Sequence, residues 1–202
     1  MKLNAKLYQD MPQMVLGFHG CDRSVAEKVL RSQEEHLHPS TNTYDWLGDG
    51  VYFWLNDPQR ALEWAEQTKQ RGKINDPFVI GAVIDLGFCL NLCERKAIDM
   101  LKSSYAALET ELRMSGKRID EVFQNRAPDE GGFRLIRPLD CAVIRNLHRI
   151  MKEIGQRPFD SVYGYFQEGK DAFPGGGIKE KSHIQICVRN TACIKGYFLP
   201  RL

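Results

Sequence analysis

Three short segments carry side chains suited to holding a flat, hydroxyl-bearing ligand. Phe18-His19-Gly20-Cys21 sets an imidazole beside a glycine, a hydrogen-bonding ring next to a backbone that a ligand can approach closely. Trp46-Leu47-Gly48-Asp49-Gly50-Val51-Tyr52-Phe53-Trp54 runs two glycines into an aromatic stretch whose face suits a planar ring. Ser182-His183-Ile184-Gln185-Ile186 alternates polar with apolar residues, so a strand here places His183 and Gln185 on one face. Each segment also has a plainer reading: a core histidine, an aromatic strand filling a core, polarity at a sheet edge.

The surrounding pattern predicts the elements that position them. Residues 15–19 read as a strand, and Ser24-x-x-Glu27 as a capping box opening a helix that ends near Gln33, with Ala26, Val29 and Leu30 on its apolar stripe. Residues 34–48 are polar and turn-rich, and 50–54 form a β-branched and aromatic strand. Asn56-Asp57-Pro58 places a cap before a proline at the first helical position; the helix 59–71 follows and stops at Gly72. Residues 78–86 are apolar on both faces, which predicts an interior strand. From 94 to 156 the character is helical, with stops at Gly116 and Gly155, an irregular stretch over 125–138, and Asp140 capping the last helix. Strands return at 160–166, 183–188 and 194–199, around a loop over 168–181 that contains Pro174-Gly175-Gly176-Gly177. The expected fold class is α+β, with a mostly antiparallel sheet. We expect a single domain over 1–202: a core over about 14–92 and 158–202, and a helical insertion over about 94–157.

At 202 residues, 43% hydrophobic and 27% charged, the chain has the composition of a folded domain. With 28 Lys+Arg against 26 Asp+Glu, a strongly basic nucleic-acid coat is excluded, but the charge is uneven. Residues 1–100 carry 11 basic and 14 acidic side chains, residues 101–202 carry 17 and 12, and 113–157 alone carry ten and six. That region reads either as a solvated helical face or as a shallow positive surface for an anionic substrate. Six cysteines show no disulfide framework, and Cys89/Cys93 lack partners at zinc-site spacing; reduced thiols and no metal are expected. No signal-peptide core follows the lysines of the N-terminus, and the longest apolar run, 78–84, is far short of a membrane span, so the expected location is cytoplasmic, with no membrane partner.

In order along the chain, His19-Gly20-Cys21, Gly48-Asp49-Gly50-Val51-Tyr52-Phe53 and the late polar strand resemble the ADP-ribosyltransferase superfamily, in its diphtheria-toxin-like and poly(ADP-ribose) polymerase-like branch. Ala61, Gly81-Ala82-Val83-Ile84-Asp85-Leu86-Gly87 and Asp160-Ser161-Val162-Tyr163-Gly164 extend the likeness; the helical block has no counterpart. The resemblance implies split, mostly antiparallel sheets around an NAD cleft. It implies that His19 bonds the adenosine ribose, Gly20 holds the nicotinamide carboxamide through its backbone, and Tyr52 stacks on the nicotinamide ring, with Gly50 in the same cofactor-binding strand. The family's glutamate aligns with Gln185, a departure of consequence. Positive charge develops on the ribose as the glycosidic bond breaks, and an amide offers a hydrogen bond but no countercharge. Either Gln185 suffices, or Glu168 at the end of the preceding strand supplies the carboxylate and deprotonates the acceptor. Arg60 replaces a serine of the family; it reads as a partner for NAD phosphates or as solvent-facing. The family's second stacking tyrosine falls at Glu63, so Trp64 either takes that place or packs in the helix core.

The loop before the last motif reads the acceptor in this superfamily. Here Phe173 lies among Lys170, Lys179 and Lys181, a pattern suited to stacking a base beside a phosphate, and Arg134 and Arg137 extend the same surface. The resemblance therefore implies an NAD-dependent mono-ADP-ribosyltransferase acting on a macromolecule, RNA more than protein, as a toxin or antiviral defence effector with an antitoxin partner. The alternatives are a protein-directed transferase, an RNA 2′-phosphotransferase of the same fold, and a non-catalytic NAD- or ADP-ribose-binding module.

Overall fold

Strand β1 (Met14–Asp22) ends in the residue that starts the first helix, because the Asp22 carboxylate accepts from the Ser24 backbone N–H at 3.1 Å and caps α1 (Arg23–Arg31). The capping box expected at Ser24 is thus displaced two residues upstream. The same carboxylate accepts from Asn75 N and Asp76 N, which ties the entry to β3 onto the end of β1. The computed structural model describes residues 14–32, 34–128 and 133–201; Gln33, the expected helix end, lies outside the described residues.

After α1 the chain runs β2 (Val51–Leu55), α2 (Pro58–Gln70), β3 (Pro77–Asp85), β4 (Cys89–Asn91), α3 (Arg95–Met114), α4 (Ile119–Val122), α5 (Pro138–Glu153), β5 (Ser161–Phe166), β6 (His183–Val188) and β7 (Ile194–Phe198). Asp57 caps α2 through the Arg60 N–H, with Pro58 in its first turn, as its sequence predicts. In α5 the expected cap Asp140 instead lies in the first turn, because Pro138 already starts the helix. Gly116 and Gly155 follow α3 and α5 at φ +75° and +69°, where glycine is favoured.

The strands form one seven-stranded sheet in the order β4-β5-β6-β2-β1-β3-β7. Every neighbouring pair is antiparallel except β4 with β5, so the protein is α+β with a mixed, mostly antiparallel sheet. The junction at the middle is narrow. β1 pairs with β3 from Met14↔Asp85 to Asp22↔Pro77, but meets β2 only at Gly17↔Leu55 and Phe18↔Trp54.

Both faces of the sheet are buried. On one, Val29, Leu37, Phe53, Ile80, Ile84 and Ile186 form the core with α1. On the other, α5 packs Ile144 and Leu147 onto Leu90, Val162 and Cys187, while α2 packs Ala61 onto Phe18, Trp54 and Val79. The helical block is therefore more than an appendage, since α5 supplies half of that second layer. No helix among the described residues is long and apolar enough to cross a membrane. All six cysteines are free, and only Cys93 is exposed.

Candidate functional site

The narrow junction is where chemistry-bearing side chains gather. One residue beyond the last β1–β2 pair, His19 Nδ1 donates to the Tyr52 carbonyl at 2.7 Å, an imidazole standing where a backbone ladder bond would continue. A carbonyl only accepts, so Nδ1 carries the proton and Nε2 keeps its lone pair. Burial pushes the His19 pKa below its ordinary value, against the opposing pull of that hydrogen bond. Its ring meets Phe53 edge-on at 5.8 Å and Trp64 at 6.5 Å, and Trp64 in turn meets Trp54 at 6.0 Å.

Register then extends the site across β6 and β5. Trp54 lies opposite Gln185, Gln185 opposite Gly164, and His183 opposite Phe166, so these side chains share the face on which α2 and α5 pack. Arg60, in the first turn of α2, reaches into this group at only 6% exposure. It donates to Glu168 at 2.7 Å and to Glu63 at 3.1 Å, and its guanidinium carbon lies 5.9 Å from the Trp54 ring centre. His183 lies 6.2 Å from Trp54 and 5.3 Å from Phe166, and its Nδ1 donates to the Lys181 carbonyl at 2.7 Å. Burial lowers the His183 pKa; the Lys181 bond opposes this and the nearby Arg60 charge reinforces it. Trp54 Nε1, Arg60 Nε and His183 Nε2 are all buried without a hydrogen-bond partner among the described residues.

The third wall comes from the loop before β2 and from the start of α5. Trp46 Nε1 donates to Gln185 Oε1 at 2.7 Å, and the Trp46 ring packs on Phe166 at 4.9 Å. Arg137 lies over both rings, 5.3 and 4.7 Å from their centres, and is half-buried. Gln185 gives one lone pair of its carbonyl oxygen to Trp46 and keeps its N–H donors for a ligand.

The structure thus brings His19, Trp64, Arg60, Glu168, Gln185 and Arg137 into one group. The solvent-facing alternative for Arg60 is overturned by its burial between two carboxylates, which also leave no positive charge to spare for a phosphate. At Gly20 a Cβ would lie 2.2 Å from the Ala61 carbonyl oxygen, so the packing of α2 by itself requires glycine there. Gly50 is likewise pressed against β6, where a Cβ would lie 2.6 Å from the Val188 carbonyl oxygen. Tyr52 donates to the Gly48 carbonyl at 2.8 Å and accepts from Leu47 N at 3.0 Å; its ring packs with the α5 core, and burial pushes its pKa up. The acceptor-loop residues stand apart. Phe173 is 55% exposed, Lys179 pairs with Asp171 at 2.5 Å and lies over Phe133, and the Arg134 guanidinium donates to the carbonyls of Asn125 and Arg126. Sequence reasoning left Trp46, Trp54 and Phe166 out of the site and put His183 on one face with Gln185 without giving it a role; that Trp54 and Phe166 share that face follows only from the pairing of β2 and β5 with β6.

The arrangement combines clustered aromatic rings, a carboxylate fixed by a buried arginine, two imidazoles whose Nδ1 protons are committed to backbone carbonyls, and amide donors. That set can orient a planar ligand and place negative charge beside a developing cation. Among the described residues no group of three His, Cys, Asp or Glu is placed to hold a metal ion.

No protein-family model matches the chain, and no solved structure matches it. It is similar to the uncharacterized protein MJ0359 of Methanocaldococcus jannaschii, 28% identical over 198 residues that cover 88% of this chain and 83% of that protein.

Proposed function

We propose that the protein is an NAD+-dependent mono-ADP-ribosyltransferase with an ADP-ribosyltransferase-like split between β1 and β2, acting on a nucleic acid, RNA, as acceptor. The observation that carries this reading is the meeting, at one narrow strand junction, of His19, Trp64, Gln185 and the Arg60–Glu168 pair, which come from distant parts of the chain.

In the proposed reaction the bond between the ribose anomeric carbon and the nicotinamide nitrogen breaks, its electron pair leaving with nicotinamide. A bond from the acceptor's nucleophilic atom to that carbon forms, and the acceptor's proton departs. Glu168 supplies the countercharge for the cationic sugar and takes the proton, while Arg60 holds its carboxylate in place. Gln185, fixed by Trp46, donates to a ribose hydroxyl. His19 receives a ribose hydroxyl proton in a hydrogen bond through Nε2, since Nδ1 is committed to Tyr52. Trp64, 38% exposed and backed by Trp54, offers a ring face for stacking.

Incubating purified protein with NAD+ carrying a labelled adenine, together with RNA, DNA or cell lysate, tests the reading directly. Nicotinamide release with label on RNA is expected. No release overturns the enzyme, leaving an NAD- or ADP-ribose-binding module; release with label on protein alone overturns the acceptor.

A further inference from the structure

The knot around Arg60 holds three buried polar atoms with no hydrogen-bond partner among the described residues. Trp54, Arg60 and His183 are 4%, 6% and 6% exposed, and their side chains touch or sense one another: the Arg60 guanidinium beside the Trp54 ring, the Trp54 ring beside His183, and the Arg60 charge acting on the imidazole. Buried hydrogen-bonding atoms are almost always paired, so three unpaired ones in one knot mark a place for a ligand's polar edge. Their chemistry is defined. Trp54 Nε1 and Arg60 Nε are donors only. His183 has its proton on Nδ1, committed to the Lys181 carbonyl, and burial keeps the ring neutral, so Nε2 is an acceptor.

Charge narrows the ligand further. One guanidinium between Glu63 and Glu168 leaves the knot with a net negative charge, and the Asp57 charge also reaches His183. A phosphate or carboxylate is repelled, and a cation meets two N–H donors. What remains is a neutral group that accepts from the donors and donates to the imidazole, bordered by the Trp54 and Phe166 rings, which lie tilted at 51° and 42° to His183.

We propose that Trp54, Arg60 and His183 form a subsite for the –CO–NH– edge of a keto nucleobase, guanine or uracil, in the acceptor strand. Guanine offers O6 with N1–H, and uracil offers O4 with N3–H, both in the order acceptor then donor. Adenine and cytosine present an amino group and a ring nitrogen lone pair instead, which sets donor against donor and acceptor against lone pair. None of residues 169–180 belongs to the buried apolar clusters, so that stretch can shift to admit a base without opening the core, while Glu168 and Lys181 keep their bonds to Arg60 and His183. The inference rests on the nucleic-acid acceptor proposed above and deepens it.

The test is binding of GMP, UMP, AMP and CMP to the full chain by calorimetry, with no NAD+ present. GMP and UMP are expected to bind roughly tenfold or more tightly than AMP and CMP, the penalty for unmatched buried groups. N1-methyl-GMP, which lacks the proton offered to His183, is expected to fall to the AMP level; this probe needs no altered protein. Arg60→Lys keeps the pairing charge for Glu168 but has no Nε–H, and Trp54→Phe keeps a ring but no N–H; each is expected to erase most of the keto preference. Equal binding of the four nucleotides, no binding of any, or a preference that survives N1-methylation overturns the subsite. Free nicotinamide displacing GMP without base discrimination also overturns it, assigning the edge to the nicotinamide carboxamide. Nicotinamide release from NAD+, measured separately, keeps failure of the subsite distinct from failure of the transferase.

Discussion

Arg60 carries a full charge into a space with 6% exposure, and the two carboxylates at 2.7 and 3.1 Å are what make that tolerable. Glu63 sits three residues along the same helix, whereas Glu168 arrives from beyond β5, so only the second contact joins α2 to the far side of the site. Glu168→Gln therefore separates two consequences of one side chain. It keeps shape and a hydrogen-bond acceptor but removes the countercharge, and nicotinamide release is expected to fall by about 10²–10³-fold. Stability is expected to drop by about 1–3 kcal/mol, less than for a wholly stranded buried charge, because Glu63 remains. Gln185→Ala frees Trp46 Nε1 and is expected to cost release less than Glu168→Gln does. Rates compared under conditions where thermal unfolding shows each variant folded decide this; a larger loss at Gln185 would exchange the two roles.

At the scale of elements, α5 holds the second layer of the core and carries a titration within it. His148 is 3% exposed, lies edge-on to Phe159 at 5.9 Å, and has its pKa pushed down to about 3 by burial, helped by the Arg189 charge. The folded protein thus favours the neutral ring, while the unfolded chain titrates near the ordinary 6.5. The stability this supplies is complete above about pH 6.5 and is lost as pH falls from there towards 3, by up to about 1.4 kcal/mol per pH unit. Chemical denaturation of wild type and His148→Gln over pH 7.5–4.5 is expected to show a gap between the two that narrows as the solution is acidified; parallel curves would mean that His148 does not couple to folding. The helix that carries this histidine was legible from the helical character of its region and the stop at Gly155, and Asp57-Pro58 fixed the start of α2 for local reasons that sequence states directly. The start of α1 was misplaced because Ser24 and Glu27 imitate a capping box while Asp22, the true cap, looks like the end of a strand. The pairing of β4 with β5, parallel and separated by three helices, has no local signature. The site divided the same way. His19, Arg60, Glu168 and Gln185 stood out by type and motif, and His183 by its alternation with Gln185, but Trp54, Phe166 and Trp46 join them only through strand register and a loop that packs back onto β6.

Across the whole molecule, the positive excess of the second half is less available than the composition implies. Of the ten basic side chains in 113–157, Arg118, Arg137, Arg145, Arg149 and Arg157 form ion pairs among the described residues, with Asp120, Asp140, Asp49, Glu111 and Asp160. Exposed pairs of this kind add little to stability, but each lowers the field that a phosphate backbone meets. Arg145 and Arg157 are further fixed by partners outside the helical block, Asp49 before β2 and Asp160 at the start of β5, and so act as ties between block and sheet. That leaves Arg113, Lys117, Arg126, Arg134 and Lys152 as the cations of this region with no carboxylate partner among the described residues, and Arg134 is held by the carbonyls of its own loop. Single-stranded nucleic acid releases counterions with a slope of about −0.7 per neutralised phosphate, so five free cations predict a log K against log salt slope no steeper than about −3.5, where ten would give about −7. Binding of a single-stranded RNA oligonucleotide measured between 50 and 300 mM salt checks this. A slope near −7 would show that the ion pairs open on contact and the block is an RNA-binding face; a shallow slope with retained affinity places recognition in the aromatic site, where stacking and hydrogen bonds to bases release no counterions.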